Sequence, residues 1–568
     1  MNGLALLAAV VAVALLAEAA DRLGYLPGFV SASGPFLTVS TARGKRLLDR
    51  LATAPVPWRA WGNLGVVAVV AASVVATVGV VVAALLAVTE PSSAGIATPT
   101  AILVVPGVNE FLPLSAAPEL LLAVLVGLAV HEGAHGVYCR VAGIGVERVG
   151  IALLAVVPAG AFVQPDRGAD ESRGLAGWAR MYAAGPTANV VLGALCLLLL
   201  VGPVLGSVGV APGLAVGGVF DGAPAAEAGI APGDRLLAVN GTAVTDGDSL
   251  DAALAAAGAR VRVETDDGTA TVERAVTVVR SDGPYALPDG TRIGAVNGTA
   301  VATEAGFRAA ARDHPVARLT TRNGTLVRPL GLAGTTAQGG ALAEAGIGPD
   351  TPVVLLSLDG ERVLDLADLT DALDGLEPGE RVPVVVYTDA GGVREGAVTL
   401  GGTDAPLVGL YTDPGVAGSV VSDFGVGGYP ADAYLGALRG EGLPGATGPL
   451  GRVFAFLLLP FAGVLGLAPY GFAGFEAPMR AAFSAPTGTL AAANVLFWSV
   501  WLNVQLAAFN CIPLFPLDGG KLLRGGVAGA ADRLGVADPW AAGTYAMAAL
   551  SVLLFVGLLA VLAASWLG

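Results

Sequence analysis

The chain is 568 residues long, 54% apolar and only 14% charged, with a mean hydropathy of +0.70. This describes a polytopic membrane protein with room for soluble domains. A net charge of −15 without a basic face excludes nucleic acid as a partner, and three cysteines set in or beside apolar runs exclude a disulfide framework.

Hydropathy predicts about six spans, near 2–19, 63–88, 117–138, 181–206, 488–512 and 543–566. The first ends in a cleavable-looking Ala17-Glu18-Ala19-Ala20, but no Lys or Arg precedes it, so a retained span is expected. Residues 21–61 carry Arg22, Arg43, Lys45, Arg46, Arg50 and Arg59, whereas 89–116 carry only Glu90 and Glu110. The first loop is therefore expected inside and the second outside. Residues 1–116 form an N-terminal segment of two spans and their loops.

The third span closes on His131-Glu132-Gly133-Ala134-His135, in a chain with only three histidines. On a helix, residues i and i+4 share a face, so His131 and His135 can both reach one Zn²⁺ while Glu132 serves as general base. An ionisable cluster inside a span is a functional site by default. Arg140, Arg148, Arg167, Arg173 and Arg180 follow, which places the motif toward the cytoplasmic end and makes 117–206 the first part of a catalytic core.

Beyond 206 the character changes to short β-rich runs. Thirty of the 46 carboxylates fall between Asp221 and Asp432, with no lysine, as expected of an extracytoplasmic region of a halophilic protein. Ala238-Val239-Asn240-Gly241-Thr242-Ala243-Val244 recurs letter for letter from Ala295 to Val301, and more loosely from Leu358 to Val363. Each copy reads as a strand, an Asn-Gly or Asp-Gly turn, a short strand and a helix. One domain is expected over 207–281 and further repeats over 282–412. A linker and an apolar segment, 453–473, then fill 413–487. Prolines 460 and 469 interrupt that segment, and loop charge requires that it not cross the membrane, so it is expected to be re-entrant or interfacial. Residues 488–568 complete the core.

Two histidines need a third ligand, and His314 belongs to the soluble repeats. Asp518 ends the apolar run 496–517 within Asn510-Cys511-Ile512-Pro513-Leu514-Phe515-Pro516-Leu517-Asp518-Gly519-Gly520, at the depth expected for the histidines. Asn510 and Asn189 are candidate donors to substrate backbone or oxyanion, with interhelical hydrogen bonding as the other reading for both.

His131–His135, Gly185-Pro186-Thr187-Ala188-Asn189 and the Asn510–Gly520 run together resemble the site-2 protease family of intramembrane zinc metalloproteases. Residues 214–254, with Pro232-Gly233-Asp234 and Val239-Asn240-Gly241, resemble a PDZ domain, and 341–373 a more divergent one; 283–330 resembles only the second half. The resemblance implies a three-helix catalytic core with inserted PDZ-like domains and one Zn²⁺ per chain. It also implies a multi-pass location in the cell membrane and a single-pass transmembrane protein as substrate, cut to release regulators or clear signal-peptide remnants. Residues 158–163, including Gly160 and Phe162, resemble the family's membrane-embedded hairpin, whose open edge would pair with an unwound substrate; a cytoplasmic connecting loop is the alternative. Gly213-Leu214-Ala215-Val216 is the candidate loop for a peptide C-terminus, unless the repeats act only as spacer or steric filter. The rival to an enzyme is a catalytically inactive scaffold presenting the repeats to partners, against which the intact Glu132 argues.

Overall fold

The computed structural model describes the chain except residues 1–2, 34–35, 90–111, 113, 155–156, 167–173, 404, 442–447, 463–471, 476–477 and 568. It divides into two units. One comprises 1–209, 434–476 and 485–568; the other comprises 210–433 and 477–484.

The first unit is mainly helical: α1 (Gly3–Arg22), α2 (Ala42–Leu51), α3 (Pro55–Thr89), α4 (Ala117–Val141), α5 (Leu175–Leu199), α6 (Thr489–Cys511), α7 (Asp518–Arg533) and α8 (Pro539–Leu567). Five helical stretches among the described residues are long and apolar enough to cross a membrane, namely Pro55–Ala87, Leu114–Val141, Leu175–Ser207, Thr489–Cys511 and Pro539–Val561. A helix satisfies its backbone internally, which is what an apolar run in lipid requires. The protein is thus a multi-pass membrane protein with helical and sheet parts. Gly451–Phe461 is a shorter apolar helix, and most of the rest of the expected re-entrant segment, 463–471, lies outside the described residues. So does most of the loop 89–116 used to orient the spans.

Helices α4, α5 and α6 pack on one another, and small residues set their spacing. A Cβ on Gly127 of α4 would stand 3.1 Å from Asn503 Oδ1 of α6, and one on Gly193 of α5 would stand 3.6 Å from Asn503 Cβ. The segment 21–61, read from sequence only as a cytoplasmic loop, holds a hairpin, β1 (Val30–Ser33) and β2 (Phe36–Ser40), followed by amphipathic α2. The hairpin joins β3 (Val146–Leu154) and β4 (Val157–Pro165) in a four-stranded sheet ordered β1-β2-β3-β4. Leu48 of α2 is buried beside Gly136 of α4, where a Cβ would approach its Cδ1 to 2.6 Å.

The second unit holds three six-stranded sheets of one design. The first contains β5 (Leu214–Val219), β6 (Arg235–Val239), β7 (Thr242–Ala243), β8 (Arg260–Thr265) and β9 (Gly268–Glu273). The second contains β10 (Val276–Ser281), β11 (Arg292–Val296), β12 (Thr299–Ala300), β13 (Val316–Thr321) and β14 (Gly324–Pro329). The third contains β15 (Leu332–Thr336), β16 (Pro352–Leu358), β17 (Glu361–Arg362), β18 (Arg381–Thr388) and β19 (Gly392–Thr399). The turns after β6, β11 and β16 place Asn240, Asn297 and Asp359 at φ of 49°, 48° and 50°, the left-handed conformation that tight hairpins demand.

The sixth strands come from one short stretch and in reverse order. β20 (Leu410–Thr412) pairs with β15, β21 (Ser419–Ser422) with β10, and β22 (Val426–Gly428) with β5. Three expectations are thereby corrected. The second copy has a full set of strands rather than the second half alone; its first strand, β10, lies before the expected boundary at 281; and 413–428 completes the sheets instead of acting as linker.

Candidate active site

Both histidines lie in the last three turns of α4. Asp518 is the first residue of α7, delivered by the non-helical stretch 512–517 that follows α6. Glycine makes this turn close: a Cβ on Gly519 would stand 2.4 Å from the Cys511 carbonyl oxygen, and one on Gly520 would stand 2.7 Å from that of Leu514. Asp518 Oδ2 lies 3.1 Å from His131 Nε2 and 3.1 Å from His135 Nε2, and His131 and Asp518 are both buried. Ligand atoms of His131, Glu132 and His135 fall within 4.8 Å of one another.

The donor set fits a metal ion. His135 Nδ1 is 2.7 Å from the Met181 carbonyl oxygen, which only accepts, so Nδ1 carries the proton. In the neutral ring Nε2 is then a bare lone pair, facing a carboxylate oxygen. A shared cation, a proton or a metal ion, reconciles two acceptors at that distance, and the second nitrogen held by a carbonyl is the usual arrangement of a metal-ligating histidine. Ligands about 2.0 Å from a tetrahedral Zn²⁺ stand about 3.3 Å apart, close to the spacing seen here. Gly185 of α5 completes the cradle, since a Cβ there would come within 2.5 Å of His131 Nε2 and 2.6 Å of His135 Nε2. The space that the missing side chain of Gly185 leaves is filled by the two imidazoles.

Glu132 accepts a hydrogen bond from the Val163 amide of β4 at 3.0 Å, which ties one carboxylate oxygen, Oε2, to the sheet. Gly160 and Phe162 lie on the same strand, paired in register with Ala152 and Gly150, and among the described residues β4 is one of the two edge strands of its sheet. Residues 158–163 are thus strand, not connecting loop.

The asparagines divide. Asn510 donates to the Leu506 carbonyl of its own helix at 2.9 Å. Asn189, one turn beyond Gly185 on α5, is fully buried, and neither amide atom has a partner among the described residues. Asn503 is equally buried, donates to the Ser499 carbonyl, and leaves Oδ1 without a partner among the described residues.

Gly213-Leu214-Ala215-Val216 does not offer an open edge. β5 is flanked by β6 on one side and β22 on the other, and the Tyr429 amide donates to the Ala215 carbonyl. A peptide cannot add a strand there. Gly213, Leu214 and Ala215 do line a cavity of about 410 Å³, together with Thr245, Asp246 and Tyr429.

Sequence reasoning missed Met181, Val163, Tyr182 and Lys521. The first two act through backbone atoms and carry no side-chain signal. Lys521 had one: it is one of two lysines in a chain with 31 basic residues, and it lies three positions after Asp518.

No curated protein matches this chain. The model for peptidase family M50 matches residues 119–554, from the start of α4 to the middle of α8. With most of its length inside that match, and with the paired histidines meeting Asp518 as described, the chain belongs to peptidase family M50, the site-2 protease family of membrane metalloproteases.

Proposed function

We propose that this protein is a zinc metalloendopeptidase that hydrolyses peptide bonds within or near the membrane segment of single-pass membrane proteins. The observation that carries this reading is the convergence of His131 Nε2, His135 Nε2 and Asp518 Oδ2 at 3.1 Å inside a helical bundle. His131, His135 and Asp518 hold the metal, which when bound supplies Lewis-acid polarisation of the scissile carbonyl and a water of lowered pKa. Glu132 takes the proton of the attacking water and delivers it to the leaving amine. The Val163 amide steadies Oε2 and leaves Oε1 for that transfer. Asn189 presents its unpaired amide to the unwound substrate backbone, which would satisfy two buried polar atoms that are otherwise costly to leave bare. β4, with Gly160 and Phe162, offers the edge on which the substrate is held extended.

Arginine placement in the sequence supports a site toward the cytoplasmic side, with the 210–433 region extracytoplasmic. The sheets act as PDZ-like modules that receive the C-terminal end of a substrate already shortened outside, without adding it as a strand to the closed edge of β5. The cavity beside Tyr429 and Asp246 is where such a peptide would reach.

The test is cleavage of a tagged single-pass substrate with a trimmed ectodomain by wild type and by Glu132→Gln. The variant should keep zinc and lose at least ~10²-fold in rate. Equal cutting by both would refute the assignment of Glu132.

A further inference from the structure

Asp518 uses its two oxygens differently. Oδ2 faces both histidines, while Oδ1 is reached by Lys521 Nζ at 3.5 Å, one turn along α7. That ammonium also stands 4.8 Å above the ring of Tyr182, a cation–π distance. Tyr182 in turn packs edge-on against His135, with centroids 6.2 Å apart, and against Trp178 at 4.8 Å. Lys521 is thus fixed by one ligand and by the ring that braces another. Elsewhere the chain uses arginine almost exclusively for positive charge. A guanidinium spreads its charge over a planar fork, whereas a lysine delivers a compact ammonium.

We infer that Lys521 is a positioning residue for the metal centre: it occupies Oδ1 of Asp518 so that Oδ2 alone is presented to the ion, and Tyr182 holds it there. Partners of this kind orient a ligand, and their loss typically lowers metal affinity by about 10- to 100-fold. The role rests on the protease reading above and adds a group that touches neither substrate nor metal.

The experiment measures zinc affinity of the purified full-length protein by competition with a chromophoric chelator, beside cleavage at limiting and at saturating zinc. Lys521→Met should weaken zinc binding about 10- to 100-fold and lose cleavage at limiting zinc, with cleavage largely restored at saturation. Lys521→Arg, which keeps the charge, should stay within about three-fold of wild type. Tyr182→Leu, which removes the platform and leaves Asp518 untouched, should fall between them. Wild-type zinc affinity in Lys521→Met would overturn the inference, as would an arginine variant no better than methionine. If the methionine variant does not fold, Lys521→Gln, which removes the charge and keeps a polar side chain of similar reach, decides by the same affinity measurement. Failure of the protease reading looks different: wild type itself would then bind no zinc, or would cut no better than Glu132→Gln.

Discussion

Asp518 and His135 face each other with Oδ2 and Nε2 3.1 Å apart, while the Met181 carbonyl fixes the proton on the far side of the imidazole. That arrangement leaves Nε2 and Oδ2 facing each other as a ready pair of metal ligands within the helical bundle. Asp518→Asn keeps the shape and removes the charge. It should lower zinc affinity by at least ~10²-fold, as measured by metal content after dialysis, and abolish cleavage at ambient zinc. A variant that retained stoichiometric zinc would remove Asp518 from the ligand set.

Gly185 supplies a steric test. Its Cβ would lie 2.5 Å from His131 Nε2, a separation that no relaxation of a rigid ring removes cheaply. Gly185→Ala should therefore lose zinc and activity while the protein still elutes from detergent like wild type. Gly133, which has open space where its Cβ would go, is the matched control, and Gly133→Ala should bind zinc normally.

In the β-rich unit, Arg274 and Asp423 form a buried pair. The guanidinium donates through Nε at 3.0 Å and Nη2 at 2.5 Å, and also reaches the carbonyls of Leu254, Ala257 and Gly258. Asp423 also accepts from the Glu304 amide at 2.6 Å, so one carboxylate ties the stretch before β22 to the first two repeats. Removing one partner strands a buried charge. Asp423→Ala should destabilise the unit by about 3–5 kcal/mol, read as earlier unfolding and faster proteolysis of the 210–433 region in the full-length protein.

The second and third repeats are joined by Arg308 and Asp365, at 2.6 Å. Burial alone would raise the Asp365 carboxyl, but the Arg308 hydrogen bond, the Asp368 amide and the Arg308 charge together hold it below the ordinary value. A lowered folded-state pKa means that the contribution is fully present above the unfolded value of about 3.9 and disappears as pH falls through the lower folded one. Thermal midpoints should therefore drop below about pH 4. Asp365→Asn should be less stable near neutrality and show a shallower acid slope. An unchanged slope would show that the link contributes nothing.

The candidate site residues were legible because their signals are local: a four-residue spacing on one helix, and a carboxylate ahead of paired glycines where an apolar run breaks. The hairpin turns were legible for the same reason, since Asn240, Asn297 and Asp359 each precede a glycine and adopt positive φ. What remained hidden depends on distant partners. β22 is three residues long, Val-Gly-Gly, and only its pairing with Val216, Gly218 and Val219 makes it a strand. The β1–β2 hairpin likewise joins a larger sheet only where β2 meets β3, more than a hundred residues later. Val163 acts through an amide that every residue but proline possesses.

The reversed order of the closing strands has a consequence for the chain as it is made. Val219 waits for Val426, 207 positions later, and Thr277 waits for Ser422, whereas Thr336 needs only Leu410. As the polypeptide emerges from its N-terminus, the third sheet can finish first, the second next and the first last, like nested brackets closed from the inside. Until the first of the nineteen residues 410–428 has appeared, all three sheets keep an unfilled edge, and the first sheet keeps its own to the end of that stretch. Such edges invite pairing with other chains. Stalling or trimming upstream of this short stretch would leave three adhesive surfaces where the finished molecule has none of them open.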